Sequence, residues 1–197
     1  MSPRRIDAWR RAAGAASPAV ALGGILLATA LDPTFSWTTD ALSDLGVRAP
    51  SALAFNGALI AGGLLGLPYA HLLFERADRA VAVAFGVGSL CLAGVGLFPS
   101  GTALHAPVAV GFYLLATVAL AGDGVARRDE STGRLTLALA AGHVLSWTTW
   151  GAGLWPATGL ALPEFVGALI VAAWVWLLGP VPAATPPDAT DTNAPVR

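Results

Sequence analysis

Long runs of apolar residues alternate with short polar segments along the whole chain. An α-helix needs about 20 apolar residues to cross the hydrocarbon core of a bilayer, which is about 30 Å thick. A strand of a membrane β-barrel would instead alternate apolar and polar positions. The pattern therefore predicts an all-α integral membrane bundle of about six transmembrane helices. The apolar runs are rich in Ala, Leu, Val and Gly and cover about 17–31, 52–74, 80–98, 105–122, 135–155 and 163–180.

Composition supports this interpretation and limits the domain organisation. Hydrophobic residues make up 55% of the 197 residues and charged residues only 12%, whereas soluble domains carry about 25% charged residues. Six spans with short connections leave no room for a domain outside the membrane. We predict a basic amino-terminal segment at 1–16, a transmembrane domain at 17–180 and a disordered tail at 181–197.

The arginines predict how the bundle is oriented. Short loops rich in Arg and Lys stay in the cytoplasm, so both termini are expected there, in a multi-pass protein of the cell membrane. On the other side of the membrane, Arg48 is the one basic residue. The expected cytoplasmic segments contain Arg4, Arg5, Arg10, Arg11, Arg76, Arg79, Arg127, Arg128, Arg134 and Arg197.

The amino terminus also allows a second interpretation. A basic stretch precedes a short apolar run that ends in the small residues of LLATALDP, an arrangement that resembles a cleavable signal peptide. Cleavage would leave five spans and place the new amino terminus outside the cell.

Residue counts exclude several kinds of site. Cys91 is the single cysteine, which rules out a disulfide framework and a cysteine-rich zinc site. A net charge of -1 without a basic block argues against nucleic acid as a partner. No cofactor-binding motif is evident. The expected partners are membrane lipids, with a second copy of the chain or another membrane protein as further candidates.

The rare polar residues of the apolar region are expected to meet in one layer near the outer face. Ionisable groups in a span cost about 2.5–3.5 kcal/mol, so each needs a partner or a hydrated cavity. Tryptophan concentrates at the bilayer interface, and Trp37, Trp147, Trp150 and Trp155 are predicted interfacial anchors on this side. The candidate polar cluster consists of Asp40, Ser43, Asp44, Asn56, His105 and Glu164.

Several functions are compatible with this cluster. It could stabilise the bundle, or form a pocket for a lipid headgroup or a small polar ligand. Alternatively, Asp44, His105 and Glu164 could bind a divalent ion that activates water in a hydrolase acting on lipid at the outer leaflet. No HxxxH or HExxH spacing supports that enzyme. A transporter would need a continuous polar path, and between the cluster and the cytoplasmic side the sequence offers only His143 and small hydroxyls.

Other features have structural interpretations. His143, in the middle of the fifth span, is expected to be a neutral packing residue rather than a proton relay. His71 and Asp123 are expected at the membrane boundary. Pairs such as Gly62 and Gly63 predict close helix packing, because small residues let helix backbones approach each other in lipid.

A family resemblance rests on the same residues. Ser43-Asp44-Leu45-Gly46 precedes the second span, Phe55-Asn56 opens it, and Phe98-Pro99, His105 and Glu164 follow. This pattern resembles the domain-of-unknown-function 998 family, six-span membrane proteins of bacteria and archaea. It is more distantly similar to the DRAM and Frag type of membrane proteins, some of which are implicated in lipid remodelling. The resemblance implies a topology and candidate positions, but no reaction.

Overall fold

The protein is described by a computed structural model covering residues 2–181 and 183. Its framework is a set of six consecutive α-helices, and the described residues contain no strand. A 3-10 helix, Leu42–Gly46, lies between the first two α-helices, and a π-helical turn, Trp174–Leu178, continues the sixth. The α-helices are α1 Pro3–Leu31, α2 Ser51–Arg76, α3 Arg79–Leu97, α4 His105–Ala126, α5 Ser131–Gly151 and α6 Ala161–Ala173.

The predicted fold class, an all-α membrane bundle, is confirmed. Five helices are long and apolar enough to cross a bilayer: α1, α2, α3, α4 and α6 with its π-helical turn. Helix α5 has 21 residues, which is long enough, but it does not meet the same test of apolar character. Its buried side chains include Thr136, His143 and Ser146. The sixth crossing thus stays a prediction.

Helix α1 begins well before the apolar run that predicts it. It starts at Pro3, so the predicted basic segment 1–16 continues directly into the first span as helix. Arg10 Nη1 lies 2.6 Å from Glu75 Oε2, and Arg76 Nη2 lies 2.8 Å from Asp7 Oδ2. These ion pairs fasten the start of α1 to the end of α2. The predicted disordered tail lies outside the described residues, except for 181 and 183.

Small residues bring neighbouring helices into close contact, as expected from the glycine-rich sequence. A Cβ atom added at Gly24 of α1 would overlap Ala58 of α2. One added at Gly63 of α2 would lie 2.5 Å from the carbonyl oxygen of Ser89 in α3. Backbones therefore touch where these glycines lie, and the three helices pack side by side in chain order.

Two ends of the bundle are distinguished by their connections. The first-loop end carries segments 32–50, 98–104 and 152–160, and the Arg127 end carries segments 77–78, 127–130 and 179–181. A separate cluster of buried apolar side chains occupies each end, around Leu45 and Phe55 in one case and around Tyr69 and Trp174 in the other.

Candidate functional site at the first-loop end

Arg48 holds the segment between α1 and α2 in a compact form. Its Nη1 atom lies 2.9 Å from Asp40 Oδ2 and 3.4 Å from Asp32 Oδ2. The hydrogen bond from Arg48 is the main reason that the pKa of Asp40 is below its ordinary value. The pKa of Asp32 is lowered mainly by a hydrogen bond from the Thr34 hydroxyl, with Arg48 contributing. Both carboxylates therefore stay charged and fixed.

The sequence Ser43-Asp44-Leu45-Gly46 lies in the 3-10 helix, and the end of this helix contacts α2. Asp44 Oδ2 accepts a hydrogen bond from Ala41 N at 3.0 Å, which satisfies an amide at the start of this helix. At its end, Asn56 Nδ2 donates to Gly46 O at 2.8 Å. A Cβ atom at position 46 would lie 2.5 Å from Asn56 Oδ1, so a larger residue there would displace the Asn56 side chain. Asn56 Oδ1 is the one buried side-chain N or O atom without a hydrogen-bond partner among the described residues.

Helix α6 meets the same segment through its first turn. Glu164 Oε2 accepts a hydrogen bond from Leu42 N at 2.7 Å, and Ala161 N donates to Asp40 O at 2.9 Å. Residues 42 and 164 are thus joined although 122 positions separate them in the chain. This contact places a half-buried carboxylate beside the 3-10 helix.

A groove of about 550 Å³ runs between α4 and α5, and we call it the α4–α5 groove. Acidic and polar side chains line it at the first-loop end, and apolar side chains such as Leu114 and Val144 line it further along. From His105 to Thr117 it follows α4 for about 18 Å, at a rise of 1.5 Å per residue. Its polar lining at the first-loop end comprises Ser43, Asp44, Ser100, His105, Tyr113, Thr148 and Glu164.

A second, smaller space lies inside the bundle, and we call it the inner cavity. Its volume is about 70 Å³, and α1, α2, α3, α4 and α6 all contribute to its walls. A cavity needs roughly 10–15 Å³ to hold a water molecule, so it has room for water. Ser43, His105, Ala109, Tyr113 and Glu164 line both spaces. These five residues therefore form the partition between the groove and the bundle interior.

A backbone carbonyl fixes the tautomer of His105. His105 Nδ1 lies 2.9 Å from Phe98 O, and since a carbonyl oxygen only accepts, Nδ1 carries the hydrogen. The neutral ring then presents Nε2 as an acceptor, and Nε2 has no hydrogen-bond partner within residues 2–181. The predicted Phe98-Pro99 and His105 pattern thus has a structural basis in this contact.

Both ring nitrogens of His143 make hydrogen bonds to side chains within the protein. Trp147 Nε1, which only donates, lies 3.3 Å from His143 Nε2, so the hydrogen of the neutral ring is on Nδ1. Nδ1 then donates to Thr117 Oγ1 at 2.9 Å, and the Thr117 hydroxyl donates to Tyr113 O at 2.9 Å. With 0% exposure and both nitrogens bonded, His143 supports packing of α4 on α5.

The predicted polar cluster separates into two groups. Ser43, Asp44, His105 and Glu164 line the α4–α5 groove, as a common site would require. The other two members, Asp40 and Asn56, instead bind Arg48 and Gly46 and hold the loop in place. Position along the chain predicted that all six residues lie near the same face of the membrane. It did not predict the direction in which each side chain points.

The structure gives no support to a metal site at Asp44, His105 and Glu164. Among residues 2–181 and 183, no group of three His, Cys, Asp or Glu side chains is arranged to hold a metal ion.

The four predicted tryptophan anchors all have partners within the protein. The Trp37 ring packs edge-on against Phe165 with centroids 5.1 Å apart. Trp150 Nε1 donates to Gly159 O, and Trp155 Nε1 donates to Thr149 Oγ1. Trp147 lines the groove. These contacts order the loop after α5, and anchoring in the bilayer interface stays a prediction.

Sequence reasoning did not identify two important features. Tyr113 lies within an apolar run and lines both the groove and the inner cavity.

At the Arg127 end, Asp123 is only 2% exposed and is not an ordinary boundary charge. Arg127 pairs with both of its oxygens at 2.8 and 2.6 Å. Trp174 Nε1 also donates to Asp123, and Arg127 Nη2 donates to Leu178 O. The spacing of Asp123 and Arg127 by four positions on one helix was the available signal.

Comparison with known proteins identifies a family but no activity. No curated protein and no solved structure matches the chain, and the more distant resemblance to the DRAM and Frag type stays a prediction. A family model described as "Protein of unknown function (DUF998)" matches residues 4–180, which include every residue of the partition and all six helices except the first residue of α1. Because this match covers most of the sequence, the chain belongs to the DUF998 family.

Proposed function

We propose that this membrane protein binds an amphiphilic lipid in the α4–α5 groove, with the polar part of the lipid at the partition. The observation that carries the proposal is the division of the groove lining into a polar end and an apolar length. An amphiphile has the same division, so one molecule would satisfy both parts.

The dimensions of the groove agree with this proposal. Ligand sites commonly enclose about 300–1,000 Å³ and are lined mainly by apolar side chains with a few placed polar groups. The groove volume of about 550 Å³ lies in that range. Val110 and Leu114, which are more than half exposed, line it, so a lipid chain would reach it from the side of the bundle.

The remaining polar residues support a stabilising role beside the site. Asp40 and Asn56 have partners within the loop and α2. They keep the 3-10 helix in place, and the 3-10 helix presents Ser43 and Asp44 to the groove. Asp40 and Asn56 are therefore assigned to stabilisation, whereas Asp44 and Glu164, which also accept hydrogen bonds from the loop backbone, are assigned to the groove as well.

The proposed orientation places both termini in the cytoplasm and the groove mouth at the outer leaflet. All the described arginines except Arg48 lie at the Arg127 end or on the part of α1 beside it. Short arginine-rich loops remain on the cytoplasmic side. The ligand would then come from lipids of the outer leaflet.

A pair of tryptophan variants tests the proposal. Val110 and Val118 are both on α4 and both 56% exposed, but only Val110 lines the groove. Val110→Trp should fill the groove and abolish saturable binding of dodecylamine and dodecanol, while Val118→Trp should bind them like the wild type. Binding is measured by native mass spectrometry in a steroid-based detergent, which has no alkyl chain to compete.

The result that contradicts the proposal is equally specific. If neither amphiphile forms a saturable one-to-one complex with the wild type, or if both variants bind as the wild type does, the groove is not a lipid site.

A further inference from the structure

The polar end of the α4–α5 groove is rich in hydrogen-bond acceptors. Among its polar lining residues, Asp44 and Glu164 each have one carboxylate oxygen without a hydrogen-bond partner in the described part of the chain. His105 contributes Nε2, which is an acceptor in the neutral tautomer fixed by Phe98. The three groups come from the 3-10 helix, α4 and α6, and they line one space.

Ser43 adds an independent indication of a missing ligand. Its side chain is only 9% exposed, lines both the groove and the inner cavity, and makes no hydrogen bond to any residue of 2–181. The Ser43 hydroxyl is not among the buried unpaired atoms of the described residues, so it is open to one of these two spaces. A ligand or water in the groove would supply the partner that the protein does not.

Positive charge is absent from the groove lining. No arginine lines it, and the chain has no lysine. The nearest guanidinium described, that of Arg48, lies 4.0 Å from Asp44 Oδ2 but is already bonded to Asp40 and Asp32. A phosphate or carboxylate headgroup would therefore meet two carboxylates, with only the Arg48 guanidinium, shared with Asp32 and Asp40, beside one of them.

Two aromatic rings complete the surroundings of the acceptors. Tyr113 and Trp147 line the groove with ring centroids 4.8 Å apart in an edge-on arrangement. Aromatic faces attract cations, Trp most strongly. Carboxylates, a histidine acceptor and aromatic faces in one partly enclosed space suit a cation that carries N–H donors.

We infer that the groove selects amphiphiles with a primary ammonium headgroup. This inference rests on the proposed lipid-binding function and specifies its substrate class. An ammonium group has three N–H donors and no acceptor, and the groove lining offers four candidate acceptors for them: an unpartnered oxygen of Asp44 and of Glu164, the Nε2 atom of His105 and the Ser43 hydroxyl. The alkyl chain would follow the apolar length of the groove.

The experiment compares headgroups on one alkyl chain. Dodecylamine, dodecanol and dodecanoate are titrated against the full chain in steroid-based detergent, and apparent Kd values come from native mass spectrometry. We expect dodecylamine to bind about tenfold more tightly than dodecanol, since hydrogen bonds between charged groups are stronger than those of a neutral hydroxyl. Dodecanoate should bind least tightly.

Isosteric variants then test the carboxylates. Glu164→Gln keeps an oxygen that can accept from Leu42 N, and Asp44→Asn keeps one that can accept from Ala41 N. Each should reduce the ratio of dodecylamine to dodecanol affinity to below about threefold. Asp129→Asn, an exposed position at the Arg127 end, removes the same charge away from the groove and should retain the full ratio. Melting temperatures identify any variant that fails to fold, and the other carboxylate variant then decides.

The outcomes separate the two proposals. Equal affinities for all three headgroups, with binding still lost in Val110→Trp, would overturn the ammonium preference and leave the lipid groove intact. Absence of saturable binding by every amphiphile would overturn both. An equal loss of the ratio in Asp129→Asn would show a general charge effect and also reject the inference.

Discussion

Arg48 connects the two ends of the segment between α1 and α2. It bonds to Asp32 at the end of α1 and to Asp40 before the 3-10 helix, while its own carbonyl accepts from the Ser51 hydroxyl in α2. The sequence singled out Arg48 as the one basic residue on its side of the membrane. That it binds two aspartates follows from a loop conformation that residue types alone do not specify.

These contacts predict how stability depends on pH. The pKa values of Asp40 and Asp32 are below their ordinary value of 3.8, so the folded protein binds fewer protons than the unfolded one in acid. Their contribution is present above about pH 4 and is lost as the pH falls through the lowered values. Arg48→Gln should move the acid-unfolding midpoint to higher pH, measured by tryptophan fluorescence in detergent.

Arg128→Gln is the matched control for that measurement. Arg128 is exposed and makes no ion pair with the described residues, so its loss should leave the midpoint unchanged. A midpoint that stays at the wild-type value in Arg48→Gln would show that the loop does not depend on these pairs.

Residue types in the sequence predicted the polar residues at the first-loop end of the groove. They did not predict the residues that line the groove along its sides. Rare acids and a histidine near helix starts are conspicuous against an apolar background, which is why Glu164 and His105 could be predicted. Tyr113 could not, because an aromatic residue within a span usually packs against lipid or protein. Only the packing of α4 on α5 and α6 reveals that Tyr113 lines both spaces.

Helix boundaries were predictable to within a few residues at most ends because hydropathy changes sharply there. The start of α1 is the exception. Its first turns are polar, and they are helical because Asp7 and Arg10 pair with residues at the end of α2. Hydropathy alone does not register such a contact between distant segments.

Close contact between α2 and α3 leads to a prediction at the scale of these elements. A Cβ atom at Gly63 would lie 2.5 Å from Ser89 O and 2.6 Å from Ala93 N, both backbone atoms, whereas one at Gly57 would meet nothing within 4 Å. Gly63→Ala should destabilise the bundle by about 1–3 kcal/mol, as overpacking does. Gly57→Ala should be neutral or stabilising by up to about 1 kcal/mol.

Thermal unfolding of both variants in detergent measures the difference. Since the two positions lie on the same helix and receive the same methyl group, helix propensity is matched between them. Equal melting temperatures would mean that α3 moves away from α2 at little cost, contrary to the close packing described here.

Charge is divided between the two ends of the whole molecule. Arginines collect at the Arg127 end, whereas Asp32, Asp40, Asp44 and Glu164 lie at the first-loop end with Arg48 as their one basic neighbour. This division could be predicted from the sequence, because it depends only on the order of spans and loops. The shape of the groove could not, since it depends on how α4, α5 and α6 are angled against one another.

Cysteine labelling tests the proposed orientation. In a Cys91→Ala background, Val47→Cys places a thiol at an exposed position of the first-loop end, and Asp129→Cys places one at the Arg127 end. A membrane-impermeant maleimide added to intact cells should label position 47 and not position 129. Labelling of both positions from the same side would overturn the topology and the assignment of the groove to the outer leaflet.

The contact between Gly46 and Asn56 has an evolutionary consequence. The Asn56 side chain occupies the volume that a Cβ atom at position 46 would need, and its amide bonds to the carbonyl of the same glycine. Neither position is free to vary alone. Across homologous sequences the two should therefore change together, with any larger residue at 46 accompanied by a smaller one at 56.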